Sequence, residues 1–209
     1  WADRLGIPQS AAITCVKPSG TVSQLVDSAS GIHARHSPYY VRTVRGDNKD
    51  PLTTFMKDQG IPSEPDVFKP DQTTVFSFPV KAPNKAVVTS DLSAVDQLKM
   101  WLMYQRHWSE HKPSVTINVK KDEWFEVGTF VYEHFDEMSG VSFLPYNEHT
   151  YQQAPYQEID KEEYKNILVT MPKTIDWSRL SEYEKEDTTT SSQTMACTGD
   201  VCEVVDIGA

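Results

Sequence analysis

Along the chain, apolar and polar positions alternate between strand-like and helix-like patterns. Ala11-Ala12-Ile13-Thr14-Cys15-Val16 is a short, nearly continuous apolar run, the pattern of a strand buried on both faces. Pro18-Ser19-Gly20 breaks it. Thr21 to Asp27 is then predicted as a short helix with Val22, Leu25 and Val26 inward. From Tyr39 to Arg45, Tyr39, Val41 and Thr43 fall on one face and Tyr40, Arg42 and Val44 on the other, which predicts a strand. A short helix follows, about Leu52 to Gln59, ended by Gly60, and Thr73 to Val80 is β-branched and aromatic, hence a strand.

The clearest helix spans about Ser93 to Glu110. Ser93 and Asp96 form a variant of the capping box, and Val95, Leu98, Leu102 and Gln105 mark one stripe that Trp101 and Trp108 widen. His111-Lys112-Pro113 stops it, and 114–119 alternates as a strand. Glu123 to Met138 is a second good helix closed by Gly140, Val141 to Leu144 a short strand ending at Pro145, and Asp160 opens a helix with Tyr164, Ile167 and Leu168 inward. No internal repeat is visible. Mixed strand and helix signals in this order predict an α/β architecture.

Composition narrows the function classes. The 209 residues carry a net charge of −10, unsuited to coating nucleic acid non-specifically. With 38% hydrophobic and 11% aromatic residues the chain can bury a core, yet no apolar run is long enough to span a membrane. It starts at Trp1 with no signal-peptide pattern, and the expectation is a fragment of something longer. Three cysteines are too few for a secreted disulfide scaffold and fit a reducing, cytoplasmic setting. From Ser181 to Ala209 seven acidic residues face one lysine, so −6 of the −10 sits there. Residues 187–194 of that segment are entirely polar and are expected to form a linker. The expected division is a folded part, 1–183, and a flexible acidic tail, 184–209.

Three constellations can carry chemistry. In Lys17-Pro18-Ser19-Gly20-Thr21-Val22-Ser23 an apolar strand runs through a tight turn into a helix start, where unpaired N–H groups and the hydroxyls of Ser19, Thr21 and Ser23 suit a phosphate. It lacks the Gly-Lys-Ser/Thr ending of a Walker loop, and on the motif alone a Ser-capped helix after a turn is the simpler alternative. Cys197-Thr198-Gly199-Asp200-Val201-Cys202 pairs two thiols around a glycine. It is either a redox dithiol on a tether or two idle thiols, and it cannot alone complete a four-ligand zinc site. Gly31-Ile32-His33-Ala34-Arg35-His36-Ser37-Pro38-Tyr39-Tyr40 places His33, Arg35 and His36 just after the phosphate turn, near substrate or cofactor, or in a plain polar loop. Cys15 is expected in the core. The tryptophans at 101, 108 and 124 are expected to pack, and Glu133, Asp136 and Glu137 to form a solvated face.

Several of these strings together resemble the ribonucleotide reductases. Thr14 to Leu25 (TCVKPSGTVSQL) resembles their substrate-phosphate loop. Gly31 to Tyr40 resembles the segment that follows it in the adenosylcobalamin-dependent (class II) enzymes. Lys112-Pro113-Ser114-Val115-Thr116-Ile117, Gly140 to Tyr146 and Tyr151 to Gln157 look like later landmarks of the monomeric triphosphate-reducing branch, and the Cys-x4-Cys tail is similar to its C-terminal redox pair. The resemblance implies the C-terminal part of a ten-stranded α/β barrel in a monomeric enzyme that reduces ribonucleoside triphosphates by a radical mechanism. Pro18, Ser19, Gly20, Thr21, Val22 and Ser23 would bind substrate phosphates. Cys197 and Cys202 would re-reduce the active-site disulfide and then be reduced by thioredoxin or a similar dithiol. Adenosylcobalamin would be bound by the full-length enzyme, together with the N-terminal part.

The departures define what is missing. The family's thiyl-radical cysteine and its two barrel cysteines have no counterpart here, and Cys15 is in the wrong position for any of them. The fragment alone is expected to be inactive. A diphosphate reductase of the same family and a non-catalytic phosphate-binding module are the alternatives. A free-standing thiol carrier is disfavoured for want of a Cys-x-x-Cys at a helix start.

Overall fold

In the computed structural model, residues 1–20, 22–146 and 152–185 are described, together with the backbone of 196–198 and 201–203. The element order is α1 (Ala2–Leu5), α2 (Val22–Leu25), β1 (Tyr39–Asp47), α3 (Pro51–Asp58), β2 (Ser63–Pro65), β3 (Thr73–Lys81), α4 (Ala94–His107), β4 (Thr116–Val119), α5 (Trp124–Glu133), β5 (Ser142–Pro145), β6 (Tyr156–Glu158), α6 (Lys161–Thr170), β7 (Ala196–Thr198) and β8 (Val201–Glu203). The fold is α/β, as the pattern predicts. The chain divides into two compact units, residues 1–40 with 81–150 and residues 41–80 with 151–209.

The first unit is a β4–α5–β5 crossover packed on α4. β4 and β5 pair in parallel, Thr116 opposite Ser142 through Val119 opposite Pro145, and α5 supplies the long connection that parallel pairing requires. α4 begins on the anticipated capping box: the Ser93 hydroxyl accepts from the Asp96 N–H, and the Asp96 carboxylate accepts from the Ser93 N–H. Its buried face is Ala94, Leu98, Trp101 and Leu102, which meet Ile117, Val119, Val127 and Phe130 in one core. The Trp101 indole N–H donates to the Pro113 carbonyl at 2.8 Å, so the largest core side chain leaves no buried donor unpaired. Trp124, partly exposed, packs its ring against Phe143, whereas Trp108 is 57% exposed, contrary to the expectation that it packs. Glu137 of the expected solvated face is held by both arms of the Arg106 guanidinium at 2.6 Å, which draws its carboxyl down to about 2.

Three expectations about the first segment fail. Residues 11–16 are not a sheet strand; the segment bonds irregularly to 108–114, through the Thr14 hydroxyl to the Trp108 carbonyl and through the His111 and Ser114 amides. Ile13 is 79% exposed and Cys15 is exposed, not core. The predicted helix is only the single turn α2, and its expected inward residues Val22, Leu25 and Val26 face outward, Leu25 at 84% exposure. An apolar run records a tendency to be covered, and here its positions alternate between exposed and half-buried.

The second unit is built on a four-stranded sheet, order β2-β3-β1-β6, with β2 antiparallel to β3. Asp50 caps α3 by accepting from the Leu52 N–H, and Pro51 sits at the first helical position, where no N–H is needed. α3 buries Phe55 against Trp177 and Tyr183, with ring centroids 5.3 and 5.4 Å apart. On α6, capped by Asp160, Tyr164 and Ile167 are half-buried and Leu168 is exposed. Beneath β1, the Arg45 guanidinium meets the buried Asp66 carboxylate at 2.9 Å, and Asp66 also accepts from the Phe68 and Lys69 amides. Burial alone pushes the Asp66 carboxyl up, but the two amides and Arg45 together bring it below its ordinary value.

A depressed folded-state pKa contributes stability that is complete above the unfolded-state value and lost as pH falls through the folded-state one. Asp66→Asn is therefore expected to cost about 1–3 kcal/mol near neutral pH. The gap to the unsubstituted protein should narrow below about pH 4, as read by urea unfolding across that range.

Candidate phosphate-binding turn

The turn from Lys17 to Tyr40 is fastened by hydrogen bonds. The Lys17 ammonium donates to the Lys112 carbonyl at 3.0 Å and to the Ser114 hydroxyl at 2.9 Å. The Ser19 N–H donates to the Ser30 hydroxyl at 2.8 Å, and that hydroxyl donates back to the Ser19 carbonyl at 2.9 Å. The Ser19 hydroxyl accepts from the Ser23 N–H at 3.0 Å, the capping role its position suggests. Asp27 takes a left-handed conformation (φ 51°) and the Ser28 N–H reaches back to the Ser23 carbonyl, so α2 closes with a Schellman motif. Gly31, also left-handed (φ 59°), lies so close to the Lys17 carbonyl that a Cβ would sit 3.1 Å from its oxygen.

Of the anticipated phosphate residues, Pro18, Gly20 and Val22 are exposed and Ser19 is half-buried, while Thr21 lies outside the described residues. Ser23 is buried, and its hydroxyl has no hydrogen-bond partner among the described residues. A buried hydroxyl left unpaired is costly, and Ser23 shares that state with the Ser109 hydroxyl and the Arg35 Nε.

The following residues are mostly committed within the protein. Arg35 is 4% exposed; its guanidinium donates to the Ser28 carbonyl and the Asp27 carboxylate and lies 5.9 Å from the centre of the Tyr40 ring. His33 accepts from the Thr116 N–H through Nε2 and meets the Ser30 carbonyl through Nδ1, which assigns the neutral Nδ1–H tautomer. His36 is exposed and packs edge-on to Tyr40. Ser30 is the residue that sequence reasoning passed over. Its Ser-Gly dipeptide marks a turn, but nothing local reveals a partner eleven positions away.

Cys197 and Cys202 face each other in register in the β7–β8 antiparallel pair. Directly opposed residues in such a pair have Cα atoms about 4.5–5.5 Å apart, within the range of about 4.4–6.8 Å that a disulfide spans.

The adenosylcobalamin-dependent ribonucleoside-triphosphate reductase of Euglena gracilis is 31% identical over 200 residues, covering 95% of this chain and 27% of its own length. The enzyme of the same name from Lactobacillus delbrueckii subsp. bulgaricus is 34% identical over 170 residues, 79% of this chain and 23% of its own. A crystal structure of a B12-dependent (class II) ribonucleotide reductase matches with a TM-score of 0.72 and 29% identity, over 88% of this chain and 26% of that one. The chain is homologous to one segment of the adenosylcobalamin-dependent, class II ribonucleotide reductases. It spans about a quarter of the length of these relatives. No protein-family model matches it.

The candidate cofactor residues His33 and Arg35 do not fit the cobalamin. His33, an imidazole that a cobalt could have used, spends both ring nitrogens on backbone groups, and the Arg35 guanidinium is turned into the protein.

Gly31→Ala combines a left-handed φ with a close backbone approach, and about 1–2 kcal/mol is expected from the conformation alone. Equilibrium urea unfolding should show that loss, whereas Gly20→Ala, with open space around its Cβ, should cost much less.

Proposed function

We propose that this chain is the C-terminal portion of an adenosylcobalamin-dependent ribonucleoside-triphosphate reductase, carrying the substrate-phosphate loop and a redox dithiol. The observation that carries the proposal is the match over 95% of the chain to a relative bearing that name. The triphosphate substrate is favoured over a diphosphate because the relatives are named for it. In this proposal residues 1–183 complete a ten-stranded α/β barrel with the N-terminal part of the enzyme, which also holds the cofactor. Residues 184–209, most of which lie outside the described residues, are the acidic redox tail, and the enzyme works as a cytoplasmic monomer. No helix among the described residues is long and apolar enough to cross a membrane.

The loop 18–23 takes the substrate's phosphates, and the buried, unpartnered Ser23 hydroxyl supports this. Arg35 does not reach the anion directly. It ties α2 and its closing turn in place through Ser28 and Asp27. Phosphate is then held chiefly by hydroxyl and amide donors, which suits a substrate that must leave after each turnover.

The tail dithiol gives two electrons and two protons to the active-site disulfide and becomes a disulfide itself, which thioredoxin or a similar dithiol reduces. The in-register placement of Cys197 and Cys202 is compatible with that closure.

In the full-length reductase, Cys197→Ser with Cys202→Ser should abolish thioredoxin-driven turnover while sparing a single turnover. Sustained thioredoxin-driven turnover in this variant would overturn the tail assignment. A structure with bound ribonucleoside triphosphate should bring phosphate oxygens within hydrogen-bond distance of the Ser23 hydroxyl or the backbone amides of the loop. Phosphates found elsewhere would overturn the loop assignment.

A further inference from the structure

We infer that Ser30 and His33 are positioning residues that hold the phosphate loop in its binding shape, an inference that rests on the loop assignment above. The turn itself is open: Pro18, Gly20 and Val22 are exposed, so side-chain packing does not fix its conformation. A hydrogen-bond relay does. The Thr116 N–H, at the start of β4, donates to His33 Nε2 at 3.1 Å. His33 Nδ1–H donates to the Ser30 carbonyl at 2.8 Å. The Ser30 hydroxyl grips both the N–H and the carbonyl of Ser19, and the Ser19 hydroxyl takes the Ser23 N–H.

The entry to the turn is fastened to the same stretch of chain. The Lys17 ammonium bonds to the Lys112 carbonyl and the Ser114 hydroxyl, and the Ser114 N–H donates to the Val16 carbonyl at 2.9 Å. Both ends of the loop are thereby referred to residues 112–116, which lead into the core strand β4. A loop held this way loses less conformational freedom when an anion arrives, and that difference appears as affinity. His33 acts through Ser30 and Ser30 through Ser19; neither needs to touch the substrate.

The test uses the full-length reductase, with KM and kcat for a ribonucleoside triphosphate and inhibition by inorganic tripolyphosphate as readouts. Ser30→Ala removes two hydrogen bonds and His33→Ala removes two. His33→Asn keeps a donor near the Nδ1 position, and His33→Gln keeps an acceptor near Nε2. Each lost bond is expected to weaken binding by about 3- to 10-fold. KM and the tripolyphosphate inhibition constant should rise together while kcat stays within about twofold, with the Asn and Gln variants milder than Ala. Thermal melting by circular dichroism checks folding. If Ser30→Ala does not fold, the two single-bond variants at His33 decide the matter. The inference is overturned if Ser23→Ala raises both constants while the folded Ser30 and His33 variants match the unsubstituted enzyme. If Ser23→Ala also leaves both constants unchanged, the loop assignment falls and this inference with it.

Discussion

One hydroxyl grips both backbone polar groups of a single residue at the centre of this turn. The Ser30 side chain satisfies both the N–H and the carbonyl of Ser19, eleven residues away, and so stands in for a strand neighbour where no strand exists. That contact brings Gly31 against the Lys17 carbonyl, where its left-handed φ and the close approach together favour a residue without Cβ. It also leaves the Ser19 hydroxyl free to cap α2. The single turn of α2, its left-handed Asp27 exit and the buried cation of Arg35 then follow in order, because the two terminal nitrogens of Arg35 donate to the carboxylate and carbonyl that this exit presents.

Buried or half-buried charge is handled in the same manner in both units: each cation is given internal acceptors. Arg35 has Asp27 and Ser28; Arg45 has the Asp66 carboxylate and the Gln153 carbonyl. Gln153, itself buried and left-handed at φ 57°, spends its side-chain amide on the Val67 N–H, Glu64 and the Pro65 carbonyl. The many bonds of the Gln153 side chain hold its unusual backbone conformation in place. The turn departs from the pattern at two atoms, the Ser23 hydroxyl and the Arg35 Nε, which are buried without a hydrogen-bond partner among the described residues.

How much was legible in the sequence depended on how local the cause was. α4 was legible because its capping box and apolar stripe lie within its own residues, and α3 because Asp50, Pro51 and Gly60 punctuate it. The 17–23 turn was legible as a turn. Its fastening was not, since Ser30, His33 and Thr116 are brought together across as many as 83 positions. The apolar run 11–16 misled because it was taken to be covered on both sides. Ile13, Cys15 and Leu25 are exposed here, and a chain spanning about a quarter of its relatives' length is consistent with cover supplied from elsewhere in a longer protein.

By itself the sequence determined the element types, the caps, the α/β class and the family resemblance, because each is written in residue order over short spans. Only the tertiary structure decided which groups remain available for chemistry. His33 and Arg35 looked available in the string, and the fold spends them on backbone carbonyls, an amide and a carboxylate. Ser23 looked like one hydroxyl among three, and the fold leaves it buried and without a partner among the described residues. Hydrogen-bond capacity is a property of a residue, but its use is a property of its neighbours, and those neighbours come from distant parts of the chain.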